Sequence, residues 1–164
     1  MSKNEQEVFF TRLHALNQRE RATLRQEVGR MLLDASCRAT ELFYRCLPDS
    51  ADISQADRWF AAACIDCLCY SGQSKKRPIE QVIADVIRRS DYPSIVEHRV
   101  TFLLDDTWDE QGTLLMKLRG LLKLIYKHSD LTQIDVPLLL DDFLSWDSKG
   151  NYVQRKWARA IFRR

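Results

Sequence analysis

The stretch of this 164-residue chain that looks most like chemistry is CIDCLC, residues 64–69. Cys64 and Cys67 have the spacing of half a zinc site. Structural zinc takes four ligands, usually from two such pairs or from one pair and two histidines. Here Cys37 and Cys46 are isolated, and His14, His98 and His128 lie far apart in sequence. Cys64 and Cys67 also fall on the apolar face of a helical pattern, where a free thiol packs like a small hydrophobe. Core packing, with no metal or redox role, is the expectation. Three acidic pairs come next: Asp105-Asp106, Asp109-Glu110 and Asp141-Asp142. Adjacent carboxylates on a helix diverge by about 100°, so each pair alone makes a poor metal site. Caps and solvated faces are expected of them. The chain has no nucleophile motif, no glycine-rich phosphate loop and no two-histidine helix. The residues therefore predict no catalysis and no cofactor.

The basic residues form a clearer pattern. The chain closes on VQRKWARAIFRR, with five basic residues and no acidic one. On a helical wheel Arg155, Arg159, Arg163 and Lys156 share an arc of about 100°. Val153, Trp157, Ala160 and Ile161 occupy the next arc, so one side reads as core and the other as a cationic stripe. Phe162 sits beside the stripe, where it could stack on a base or pack on a neighbouring subunit. Arg119, Lys123 and Lys127 repeat the device at a spacing of four, opposite a leucine face. Surface helix faces normally mix signs, and neither stripe has an acid interleaved. Phosphate contact is the expectation for both. Arg21 and Arg25 flank the side of Leu24 and Val28, and the sequence leaves open whether they pair with acids or with phosphates. Lys75, Lys76 and Arg77 end a loop beginning at Ser71 and could also reach a backbone.

Charge is distributed to match. Residues 1–50 carry 8 basic and 7 acidic groups, residues 51–110 carry 7 and 11, and residues 111–164 carry 10 and 5. A local patch sets the field at close range, so the last third is where a polyanion is felt. Apolar residues make up 45% and charged residues 29% of the chain, as in ordinary folded soluble domains. No apolar run is long enough to span a membrane. The opening MSKNEQEVFF lacks a signal peptide's apolar core. With five cysteines, an odd number, a disulfide framework is not expected. The expected location is cytoplasmic.

The elements that position these residues read as helices throughout, with nothing alternating at period two for long enough to make a strand. Helices are expected over 5–16, 19–33, 35–47, from Ser54 to a stop at Gly72, from Pro78, from Pro93, over 111–127, from Asp135-Pro137, and over 151–163. Ser54 with Asp57 is close to a capping box. The fold class is therefore all-α: a two-lobed bundle of eight or nine short helices, with lobes expected at 1–92 and 93–164.

ERATLRQ, EHRVTFLLD, the Leu118-Arg119 helix, IDVPLLLDDFLSWD and VQRKWARAIF, in this order, resemble the small subunit of the type I-E CRISPR surveillance complex, Cascade (the CasB family). The likeness covers most of the chain, and the closing tryptophan-aspartate, then VQ, a basic pair and WA, is its most specific part. It implies an all-helical, two-lobed, non-catalytic subunit that self-associates head to tail in the complex. It also implies contacts with the other Cascade subunits, backbone and large, with guide CRISPR RNA, and with target and displaced DNA. Carried over by position, the family's basic residues fall on Arg25, Arg99, Arg119, Arg155 and Lys156. Gln26 and Gly120 stand where members often have a second arginine, and His98 where a basic residue is common. Lys123 and Lys127 are the expected compensation. A helical adaptor whose basic faces meet acidic proteins is the rival reading, and a helical enzyme built on the acidic pairs or cysteines a distant third.

Overall fold

The computed structural model describes residues 3–70 and 75–163. Among them are nine α-helices: α1 (Lys3–His14), α2 (Gln18–Arg25), α3 (Cys37–Cys46), α4 (Ala56–Cys69), α5 (Ile79–Arg89), α6 (Pro93–Leu104), α7 (Thr113–His128), α8 (Val136–Leu144) and α9 (Tyr152–Phe162). Three short 3-10 turns, at Leu32–Asp34, Ile53–Gln55 and Leu131–Gln133, complete the regular structure. The fold class is all-α, as expected.

Caps explain several of the boundaries. Asn17 and Glu20 form a reciprocal capping box at the start of α2, which satisfies two otherwise orphaned N–H groups. Ser36 accepts from Ala39 N at α3, and Asp135 accepts from Leu138 N at α8. Two expected starts and stops move. The second helix was expected to run to Leu33, but it ends at Arg25, because Gly29 takes a left-handed turn with φ +89° that an α-helix does not contain. The buried Glu27 secures that turn by accepting from Ser36 N at 3.1 Å. The fourth helix begins at Ala56 instead of Ser54, since Asp52 caps the 3-10 turn through Ser54 N at 3.0 Å. Asp57 closes no box there; it accepts from Leu32 N. The expected stop at Gly72 lies outside the described residues.

One apolar cluster runs through the whole set. Its N-terminal part is aromatic: Phe9 meets Trp59 edge-on at 5.0 Å, and Phe43 meets Phe60 at 5.3 Å. α4 lies at its centre, packed on α2 and α8. Cys64, Cys67 and Cys69 are buried there. Burial pushes the Cys67 and Cys69 thiols up to about 12, the opposite of a thiolate poised for metal or redox chemistry. α5 packs on α6, α7 and α9, so a division at 92–93 passes between α5 and its principal neighbours. Lys76 and Arg77 are pinned beside α8: Arg77 N donates to Gln133 O at 2.8 Å, its guanidinium meets Asp85 and Gln133, and Lys76 donates to Thr132 O. These two cations are held by protein.

The most specific sequence stretch turns out to be a clamp. Trp146 and Trp157 are buried edge to face at 5.5 Å. Trp146 Nε1 donates to Asp106 O, and Gln154 Nε2 donates to Trp146 O, each at 2.8 Å. Asp147 takes Arg58 of α4 at 2.6 Å. Trp157 Nε1 donates to Asp142 Oδ2 at 2.7 Å. The residues that identify the tail therefore tie α9 to α4 and α8.

Candidate nucleic-acid interface

The sequence-predicted cations divide into three groups. Arg25, Arg119, Lys123 and Lys127 converge. α2 ends beside α7, and between them runs a groove of about 610 Å³ lined by these four with Gln26, Val28, Leu68, Leu122, Tyr126 and Leu131. No acid lines it. All four cations are exposed, and none forms an ion pair among the described residues. Gly29 makes the close approach possible: the Arg119 stem crosses it, and a Cβ there would lie 2.8 Å from Arg119 Cδ. Gly29→Ala would add left-handed strain of about 1–2 kcal/mol and lever Arg119 aside. The expected result is a lower unfolding midpoint together with weaker polyanion binding, read by urea melts and a binding titration on the same preparation.

Arg99, on α6, extends the same surface. Its Nη1 would sit 3.2 Å from a Cβ at Gly120, so the guanidinium lies across the α7 backbone next to Arg119. The missing side chain at 120 leaves room for Arg99. A Cβ at 120 would meet only the far end of the exposed Arg99 side chain, which can shift by a few tenths of an ångström, so Gly120→Ala should be tolerated and should favour the helix.

Arg155 and Arg159, exposed on α9, and Arg163, exposed just past its end, form the second group, with Phe162 beside them. The helix expected to reach residue 163 ends at Phe162, and Arg163 takes extended backbone, so the wheel does not fix its place in the stripe. These three cations too have no carboxylate partner among the described residues. The opposite side, Val153, Trp157 and Ile161, is buried. Ala160, expected with them, is exposed, because the seam with α5 is narrower than the wheel's apolar arc.

Arg21 and Lys156 form the third group, and protein claims both. Arg21 Nη1 donates to Leu16 O at 2.6 Å, and its guanidinium lies 4.6 Å over the Tyr70 ring. It neither pairs with an acid nor faces the groove. Lys156 turns inward: it donates to Asp142 and lies 3.9 Å from Glu80. Desolvation alone would lower its pKa, but the hydrogen bond and charge of Asp142 outweigh that and hold it above the ordinary lysine value. The wheel put Lys156 at the border of stripe and core, and the buried acids of α5 and α8 draw it to the core side.

Burial raises the Glu80 carboxyl above its ordinary value, with Lys156 only partly offsetting it. A folded state that holds this proton more tightly than the unfolded chain gains relative stability below the unfolded pKa and loses it as pH rises through the folded one. Glu80→Gln is therefore expected to be more stable than the wild type at pH 7. The gap should close toward about pH 4, as urea midpoints at the two pH values would show.

The acidic pairs do not assemble a site. Asp106 holds Lys117 at 2.8 Å, Asp109 accepts from Thr113 N at 3.1 Å, and Asp142 is buried under α9. No cluster of His, Cys, Asp or Glu fit to hold a metal occurs among the described residues, and no described helix is long and apolar enough to cross a membrane. Sequence reasoning missed Tyr126. It lies on α7 at the i+3 and i+7 positions from Lys123 and Arg119, a spacing that places it in the cationic stripe.

Comparison with known proteins bears on this surface. No curated protein matches the chain. Among solved structures it is similar to CasB of M. ruber, at 23% identity and TM-score 0.76, covering 99% of this chain and 94% of that one. It is also similar to a Cse2-family CRISPR-associated protein from Thermus thermophilus, at 23% identity and TM-score 0.77, covering 99% of both chains. A structure of CasB from Thermus thermophilus gives 22% identity and TM-score 0.72, again with 99% of each chain. These likenesses establish the shared all-helical fold. The family model for CRISPR-associated protein Cse2 matches residues 20–162. That span takes in α2 from Glu20 on, the α7 stripe and the tryptophan clamp of α9, and the chain belongs to the CRISPR-associated Cse2 family.

Proposed function

We propose that the protein is a non-catalytic structural subunit of a type I-E CRISPR RNA-guided surveillance complex, Cascade, and that it holds nucleic-acid backbone there. Its task is to steady the R-loop by gripping the displaced DNA strand. The carrying observation is the set of eight exposed cations on two faces, Arg25, Arg99, Arg119, Lys123 and Lys127 around α7 and Arg155, Arg159 and Arg163 on and just past α9, with no carboxylate partner among the described residues. In such complexes base pairing with the guide reads sequence, so the protein supplies backbone contacts and shape. A displaced single strand is held by a basic groove with aromatic support. Arg21 and Lys156 are left out of the proposed contacts, since the fold uses them. The partners in this reading are guide CRISPR RNA, target and displaced DNA, the backbone and large subunits, and a second copy placed head to tail.

The test is a guide-loaded complex assembled with either the wild-type chain or Arg155→Ala/Arg159→Ala/Arg163→Ala. Opening of the target duplex is followed by permanganate reactivity of displaced thymines. The variant complex should assemble normally and lose its open strand several-fold faster. Equal lifetimes of the open state would overturn the role of α9, and would move weight to an adaptor whose basic face meets acidic protein.

A further inference from the structure

The groove between α2 and α7 holds more than charge. Its floor is apolar: Leu68 and Val28 are half-buried there, and Leu122 and Leu131 are buried. Over it stands Tyr126, 73% exposed. Its ring stacks on no described residue, and its hydroxyl has no hydrogen-bond partner among them. A phosphate clamp needs neither an apolar floor nor an open aromatic ring. A duplex cannot use them, because its bases are already stacked on one another. A single strand can, since each of its bases offers a free π-face to an aromatic side chain.

We infer that this groove seats an unpaired nucleobase against Tyr126, with the flanking phosphates held by Arg119, Lys123 and Lys127 along α7 and by Arg25 at the end of α2. The cavity, about 610 Å³, lies within the roughly 300–1,000 Å³ of small-molecule sites. Its charged residues are all cationic, which matches a nucleotide and not a bare apolar segment. Leu122 and Leu68, which line the groove with Tyr126, supply the dry surface that a base edge would cover. The site therefore selects single-stranded over double-stranded nucleic acid, with little preference among bases, because stacking is common to all four. The inference rests on the strand-holding function proposed above and narrows it to unpaired strands.

The experiment compares two oligonucleotides of equal length, one bearing bases and one abasic throughout, bound to the full chain at several salt concentrations. The wild type should prefer the base-bearing strand by roughly 5- to 100-fold, the range expected for one stacked base. Tyr126→Ala should lose that preference while keeping the wild-type salt slope, and Tyr126→Phe should keep both. If Tyr126→Ala retains the wild-type preference and the steep salt slope, the base seat is overturned and strand holding stands. If the wild type binds neither strand, the strand-holding function itself is overturned, and this inference with it.

Discussion

Replacing Arg25, Arg119, Lys123 and Lys127 together by alanine should flatten the dependence of log affinity on log salt for single-stranded DNA by about 3. That is roughly 0.7 for each lost phosphate contact. At 0.1 M salt the same loss corresponds to roughly a 100- to 1,000-fold fall in affinity. The size follows from the groove having one sign of charge. No acid lines it, so none of the four cations gives up a protein partner when it meets a phosphate. All four are exposed, so their removal leaves the core intact, and unfolding midpoints should stay near the wild type. Equal affinity and slope in a folded variant would remove the groove from the nucleic-acid path.

Trp157→Ala should have the largest effect on stability, about 3–5 kcal/mol, read as a drop of about 10–15 °C in the midpoint of thermal unfolding. The side chain is fully buried and stacks edge to face on Trp146. Its Nε1 donates to Asp142 Oδ2, while Lys156 donates to Oδ1 of the same carboxylate. Asp142 is itself buried, and stripping a buried carboxylate of a donor costs more than the bond is worth. Trp157→Phe separates the contributions: it keeps most of the apolar volume and loses the donor. It should cost about 1–3 kcal/mol. Lys156→Ala should likewise lower stability while leaving the salt slope unchanged, because its ammonium faces Asp142 and Glu80. A changed slope without a changed midpoint would put Lys156 back among the phosphate contacts.

The period of the apolar residues made most of the architecture legible. In α5 the apolar residues recurring at helical spacing, Ile79, Val82, Ile83, Val86 and Ile87, are buried together. Asp135 caps where its position before Pro137 says it should. The stop after Arg25 was not legible, because the left-handed turn at Gly29 depends on Glu27 finding Ser36 across the fold. The cations show the same limit. A helical wheel sorts residues on one helix, and it placed Arg155 and Arg159 correctly on the outside. It cannot see Asp142 on a different helix, fourteen residues back, which turns Lys156 inward. Nor can it see Leu16 O and Tyr70, which take Arg21 out of reach of a strand. Tyr126 was within reach of the same wheel, since Arg119, Lys123 and Tyr126 share one stripe. It is overlooked when only charge is traced along α7.

The most direct test of the central claim, that this chain holds a nucleic-acid strand by its backbone, is the affinity of the wild type for single-stranded DNA. It should be measured across a salt series with several unrelated sequences. The account predicts a steep negative slope, the same for every sequence, as phosphate contact without base readout requires. A slope near zero, or affinity that follows the base sequence, would contradict it.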